Sequence, residues 1–158
     1  EFKNAVERMQ KREDLQFIHI TGKSDYNDLK KDYSCITMRH RVFAFLEPMH
    51  LAYSLADLVV SRAGATTIAE LVYFQKAALL IPYPYAGGHQ LENAYALGKE
   101  AAAIVLREEE LGCARLSDTI VRLIHSPFER QALEHNIQKF AVPDAAGRLA
   151  ELAISLVK

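Results

Sequence analysis

The sequence predicts an α/β fold in which a parallel sheet is covered by helices on both faces. Three observations predict it. Helical and strand-like patterns alternate over the first two thirds of the chain, the strand-like runs are short and apolar, and the third of them ends in a tight glycine turn that opens directly into a helix. Strands buried on both faces read as nearly continuous apolar runs, and helical crossovers join them in parallel. The expected layering is Rossmann-like.

Each element follows from local pattern. Phe2, Val6 and Met9 recur at helical spacing, and Leu15-Gln-Phe-Ile-His-Ile20 then reads as a strand ending at Thr21-Gly22. A polar helix is expected over Ser24 to Tyr33 and a second strand over Val42 to Leu46. Pro48 suits the first turn of the next helix, which carries Met49, Leu51, Ala52 and Leu55. Asp57-Leu-Val-Val60 begins the third strand, Ala65 to Phe74 is helical, and Ala78 to Pro82 is the fourth strand. A loop over Tyr83 to Gly88 leads to a helix from His89 to Ala101 and a fifth strand from Ala102 to Leu106. After Arg107 the segments Glu108 to Ile124, Phe128 to Phe140 and Asp144 to Val157 are helical with no strand between them. This tail is expected to pack on one face of the sheet. No repeat, low-complexity segment or linker divides the chain, so residues 1–158 read as one domain. The chain opens in a helical pattern without a preceding strand or cap, and the expectation is a cut edge within a longer protein.

Bulk properties narrow the function classes. At 158 residues, 50% hydrophobic and 25% charged, the chain is long enough for a real core and has an ordinary globular composition. A formal net charge of -1 argues against nucleic acid as a partner. No apolar run approaches the roughly 20 residues needed to span a bilayer, and no secretory signal opens the chain. Cys35 and Cys113 lie far apart and form no metal-ligand spacing, which favours a reducing, cytosolic setting over a disulfide.

Ligands in open parallel sheets gather beyond the carboxyl ends of the strands, and three segments place polar groups there. In Ser61-Arg-Ala-Gly-Ala-Thr-Thr67, Gly64 is expected to permit a turn that a side chain would block and to let a ligand approach the backbone. The first-turn amides of Ala65, Thr66 and Thr67, reinforced by the helix dipole, suit a diphosphate. Glu70, farther along the same helix, suits two ribose hydroxyls. The plainer alternative is that Thr66 and Thr67 cap the helix and Glu70 meets only its dipole. The loop is neither GxxxxGK nor GxGxxG.

In Pro82-Tyr-Pro-Tyr-Ala-Gly-Gly-His89-Gln90-Leu-Glu-Asn93, a glycine loop opens into a helix whose His89 and Asn93 share a face. Amide side chains both donate and accept, as discrimination among sugar hydroxyls requires; the alternative is a polar surface loop. The third segment, Phe45-Leu46-Glu47-Pro48-Met49, offers an apolar edge with free backbone groups to a flat base, or is simply core followed by a helix start. His19 within a strand, His50 and His135 within helices, and His40 and His125 at the surface are read as structural. Arg39-His-Arg41 and Lys11-Arg-Glu-Asp14 are read as solvated turns. Ser61 lacks the G-x-S-x-G setting of a hydrolase nucleophile.

Taken together and in order, Thr21-Gly-Lys23, Phe45-Leu-Glu-Pro-Met49, Ala56 to Glu70, Ala78 to Pro82 and His89-Gln-Leu-Glu-Asn-Ala94 resemble the carboxyl-terminal half of the MurG family. These are bacterial UDP-N-acetylglucosamine transferases that make the peptidoglycan precursor lipid II. The resemblance covers essentially the whole chain and implies one Rossmann-like lobe of a two-lobed GT-B glycosyltransferase. It implies that the Leu46 backbone meets the uracil edge, with Phe45 and Met49 shaping the pocket. Ala65, Thr66 and Thr67 would cradle the diphosphate, with Gly64, Ile68 and Ala69 also among the UDP-sugar-binding residues; Glu70 would bind the ribose, and Gln90 with His89 and Asn93 would read the N-acetylglucosamine hydroxyls. Arg62 matches a family position without an assigned contact.

The departures are specific. The family's lobe begins with a strand and a Gly-Gly-Ser loop that this sequence lacks, and Thr66 stands where a larger apolar residue is common. The amino-terminal lobe, with the acceptor site, the proposed catalytic base and the membrane-facing patch, is absent from the sequence. The resemblance therefore implies UDP-N-acetylglucosamine as donor, lipid I as acceptor through the other lobe, no metal or cofactor, and no catalytic residue within this chain. It further implies that the whole protein lies on the inner face of the bacterial cytoplasmic membrane and that this piece alone turns nothing over. Two other readings keep the nucleotide site. One is a sugar-nucleotide epimerase of the same fold; the other is a non-catalytic subunit that docks on a membrane partner.

Overall fold

Helices and strands alternate from α1 (Phe2–Met9) through β1 (Gln16–Ile20), α2 (Gly22–Asp32), β2 (Arg39–Phe43), α3 (Met49–Leu55) and β3 (Val59–Ser61). The series continues with α4 (Ala65–Tyr73), β4 (Ala78–Leu80), α5 (His89–Lys99) and β5 (Ile104–Val105). Three further helices follow, α6 (Cys113–His125), α7 (Pro127–Ile137) and α8 (Ala145–Ser155), and short 3-10 turns occupy Tyr33–Cys35, Glu108–Glu110 and Gln138–Phe140. The computed structural model describes residues 1–85 and 87–156, without the side chain of Cys113. Ala86 of the expected loop, Val157 of the expected last helix and the Cys113 half of the thiol question lie outside the described residues.

All ladders are parallel, as expected, but they form two sheets rather than one. β1 pairs with β2 from Gln16↔Arg39 to Ile20↔Phe43. β4 is the centre of the second sheet, flanked by β3 and β5. Apolar patterning reports that a strand is buried, not which edge it hydrogen-bonds. The two sheets nonetheless share a core, because Phe17 and Val42 of the first pack in the same cluster as Leu79, Val60 and Ile104 of the second. Alternation along β4 divides the interior: Leu79 faces that cluster, whereas Ala78 and Leu80 face a second one with Tyr53, Leu71 and Ala94.

Several expectations are corrected. Arg39-His-Arg41 is not a solvated turn but the first half of β2, with both arginines exposed and His40 turned inward between them. His40 stacks on Phe17 at 5.3 Å between ring centroids, so it is not a surface residue. The strand ends at Phe43, which leaves Phe45 and Leu46 in irregular chain beyond it, and Pro48 is the cap before α3 rather than part of its first turn. The tail also divides. α6 puts Leu116, Ile120 and Leu123 into the core beside α1, and α7 contributes Leu133 and Ile137. α8 buries nothing: Leu149, Leu152 and Ile154 are more than half exposed. Amphipathic spacing specified the helix but not a partner for it.

His19 makes the first pH prediction. Its Nδ1 lies 3.0 Å from the Tyr33 hydroxyl, and burial pushes the Tyr33 phenol up to about 12, so the phenol keeps its proton and is able to donate to the neutral ring. Burial also lowers the His19 pKa below its usual value, with only the charge of Asp25 opposing. The unfolded chain therefore takes up the proton first. The contribution of neutral His19 is complete above the unfolded value near 6.5 and is lost as pH falls from there through the lower folded value. Urea unfolding at pH 7.5 and 5.5 is expected to show a larger loss of stability for the native chain than for a His19→Gln variant; equal losses would refute it.

Candidate functional site

The site forms where β3 hands over to α4. Gly64 is the cap of α4, and the first helical bond is Ile68 N–H to the Gly64 carbonyl at 2.9 Å. The amides of Ala65, Thr66 and Thr67 consequently have no partner within the helix, and no capping side chain accepts from them among the described residues. Thr66 and Thr67 do not cap their own helix. The helix start is an open, partly positive shelf, with Ala65, Thr66 and Ala69 exposed. One expectation fails here: Gly64 has φ -67°, and a Cβ on it would meet only the Thr67 hydroxyl at 3.8 Å. Its backbone is ordinary extended chain that any residue adopts, so no turn here requires glycine. Left-handed glycines occur instead in the second loop, Gly87 at φ 60° and Gly88 at φ 82°, where Gly88 caps α5.

The second segment is joined to the first. Asn93 Nδ2 donates to the carbonyl of Ala63 at 3.2 Å, tying α5 to the loop that precedes α4. Gln90 Oε1 accepts from the Tyr83 amide at 3.0 Å, which folds the strand-four loop back on its own helix. Each amide thus has one end committed to the scaffold and the other free for further bonds: the donors of Gln90 and the oxygen of Asn93. His89 is exposed beside them. Asn93→Ala should leave the buried Ala63 residue without this donor, at a cost of about 1 kcal/mol read as a shift in the urea midpoint.

The third segment reaches the site through the core. Phe45 is 70% exposed, Leu46 is half-buried, and Met49 packs on the same cluster as Ile68 of α4. The apolar edge is therefore open to solvent at Phe45 and anchored at Met49.

Two residues gain contacts that the sequence did not reveal. Tyr53 of α3 is 3% exposed and donates its hydroxyl to Glu70 Oε2 at 2.9 Å. Its only sequence signal is a phenol placed four residues after Met49, on the face that enters the core. Arg62 meets both oxygens of Glu108, at 3.1 and 3.3 Å, donates to the Ile81 carbonyl and lies over the Tyr83 ring. It thereby clasps the carboxyl ends of β3 and β4 to the turn after β5. A groove of about 510 Å³ opens next to this clasp, between Pro82, Pro84, Tyr85 and Leu91 on one side and Arg107 to Glu109 on the other. None of the expected ligand residues lines it, so the shelf at α4 and this groove are neighbours, not one cavity.

The comparisons agree with this geometry. The family model for the glycosyltransferase family 28 C-terminal domain matches residues 2–149. A UDP-N-acetylglucosamine--N-acetylmuramyl-(pentapeptide) pyrophosphoryl-undecaprenol N-acetylglucosamine transferase from Myxococcus xanthus is 40% identical over 147 residues, which is 92% of this chain and 38% of that protein. The transferase of the same name from Geotalea daltonii is 42% identical over 136 residues, 85% of this chain and 37% of that one. The crystal structure of Acinetobacter baumannii MurG superposes with a TM-score of 0.81 at 26% identity, over 96% of this chain and 48% of that one. The chain thus spans about two fifths of the length of the curated relatives it matches. With the fold, the two joined helix starts and a family model covering nearly every residue in agreement, the chain belongs to the glycosyltransferase family 28 C-terminal domain family.

Proposed function

We propose that this chain is the donor-binding lobe of an inverting N-acetylglucosaminyltransferase that uses UDP-N-acetylglucosamine and lipid I to make lipid II in peptidoglycan synthesis. The observation that carries the reading is the α4 shelf. Three first-turn amides without intrahelical partners are followed on the same helix by Glu70, whose carboxylate is held in place by a buried donor. Phe45, Leu46 and Met49 supply the base pocket, Glu70 the ribose contact, and Gln90 with His89 and Asn93 the sugar contacts.

In this reaction the acceptor hydroxyl attacks the anomeric carbon and UDP departs. The negative charge that grows on the diphosphate falls on Ala65, Thr66 and Thr67, where preorganised amides and the helix dipole stabilise it. The acceptor site, the base that takes the hydroxyl proton and the contact with the inner face of the cytoplasmic membrane belong to the remainder of the whole protein. None of the described helices is long and apolar enough to cross a membrane. Titration by NMR of UDP-N-acetylglucosamine, UDP and uridine against the chain tests the assignment. Binding of the two diphosphates with shifts at the Ala65 to Thr67 amides, and far weaker binding of uridine, is expected. Equal binding of uridine and UDP would remove the diphosphate from α4.

A further inference from the structure

We propose that Tyr53 is a positioning residue of the donor site, holding the Glu70 carboxylate in the orientation in which it accepts from the ribose hydroxyls. The inference rests on the reading of Glu70 as the ribose ligand and deepens it. Glu70 is half-buried on α4, and a free glutamate side chain there would sample several rotamers. Tyr53 removes that freedom. Its hydroxyl meets Oε2 at 2.9 Å, and its ring is fixed by near-complete burial and by parallel stacking on Phe74, 5.2 Å between centroids and 13° between planes.

The arithmetic of lone pairs leaves the carboxylate serviceable. An ionised carboxylate offers about four acceptor sites, and Tyr53 uses one on Oε2, so Oε1 and part of Oε2 remain for two hydroxyl donors. Burial, followed by the bond to Glu70 itself, raises the Tyr53 pKa well above the ordinary phenol value, so the hydroxyl remains a donor throughout the neutral range. The bond also joins two parts of the site. Tyr53 lies on α3, whose first residue is Met49 of the apolar edge, and Glu70 lies on the helix whose start is the diphosphate shelf. Base pocket and ribose contact are thereby held in one register.

The test is NMR titration of the chain with UDP and with 2′-deoxy-UDP, in the native protein, Tyr53→Phe, Glu70→Ala and the double variant. Phenylalanine keeps the ring and its stack on Phe74 and removes only the hydroxyl. The native chain should prefer UDP, and Glu70→Ala should erase that preference. Tyr53→Phe should weaken UDP roughly three- to tenfold with little change for the deoxy nucleotide, and should add nothing in the Glu70→Ala background. A native preference retained in Tyr53→Phe but lost in Glu70→Ala overturns the positioning role and leaves the ribose reading intact. Equal weakening of both nucleotides, or a further loss in the double variant, assigns Tyr53 a purely structural role and also overturns it. No preference in the native chain, or one that survives Glu70→Ala, overturns the ribose reading and the inference with it. A readout on the unsubstituted chain covers a variant that fails to fold. The Tyr53 Cζ resonance should move on addition of UDP and move less with the deoxy nucleotide, and a resonance indifferent to both overturns the proposal.

Discussion

Replacing Glu70 with alanine is expected to weaken binding of UDP-N-acetylglucosamine by roughly ten- to a hundredfold, the loss of one charge-assisted hydrogen-bonding partner at about 1.5–3 kcal/mol. The carboxylate is half-buried, so solvent does not screen it as it would a surface acid, and it is held by Tyr53 rather than by a cation. Among the described residues no Lys or Arg forms an ion pair with it. Its removal leaves the Tyr53 hydroxyl buried without this acceptor, so a modest loss of stability should accompany the loss of affinity. Calorimetric titration against the whole protein reads the first and urea unfolding of the chain reads the second. Unchanged affinity would take Glu70 out of the ribose role.

The largest effect on stability is expected at Leu79. It lies on the central strand of the second sheet, fully buried, on the face that packs with α1 and α6. Truncation to alanine removes its transfer free energy and leaves a cavity that strands on both sides prevent from collapsing, for a cost of about 2–5 kcal/mol. Domains of this size are stable by only about 5–15 kcal/mol, so a large part of the total is at stake. The same substitution at Leu152 of α8, which is 57% exposed, should change stability by less than about 0.5 kcal/mol. Urea midpoints of the two variants check the contrast; similar midpoints would mean that β4 is not the centre of the core.

Much of this was legible in the residues. Apolar runs bounded by turns located all five strands to within a few positions, and the start of α4 fell at Ala65 as the pattern required. Boundaries failed where burial and hydrogen bonding diverge. Phe45 and Leu46 look like strand because they are apolar, yet their backbone has already left the ladder at Phe43. Arg39 to Arg41 looks like solvent because it is charged, yet its backbone is paired with Gln16 to Ile18 and only the two arginine side chains face out. The helical tail shows the same limit: α6, α7 and α8 share a pattern, but only the first two find a core to enter.

The sequence by itself determined the α/β class, the order of elements and the family, because periodicity, turn chemistry and motif spacing are local properties of the chain. It also placed the open amides at the start of α4, since unsatisfied amides at a helix start follow from the helix alone. Only the tertiary structure decided that the strands form two sheets, that Gly64 is not there for its backbone freedom, and that Thr66 and Thr67 leave the shelf uncapped. It alone decided the couplings: Tyr53 to Glu70 across 17 residues, Asn93 to Ala63 across 30, and Arg62 to Glu108 across 46. Such contacts join residues on different elements, and their geometry depends on how helices and strands pack rather than on any spacing along the chain.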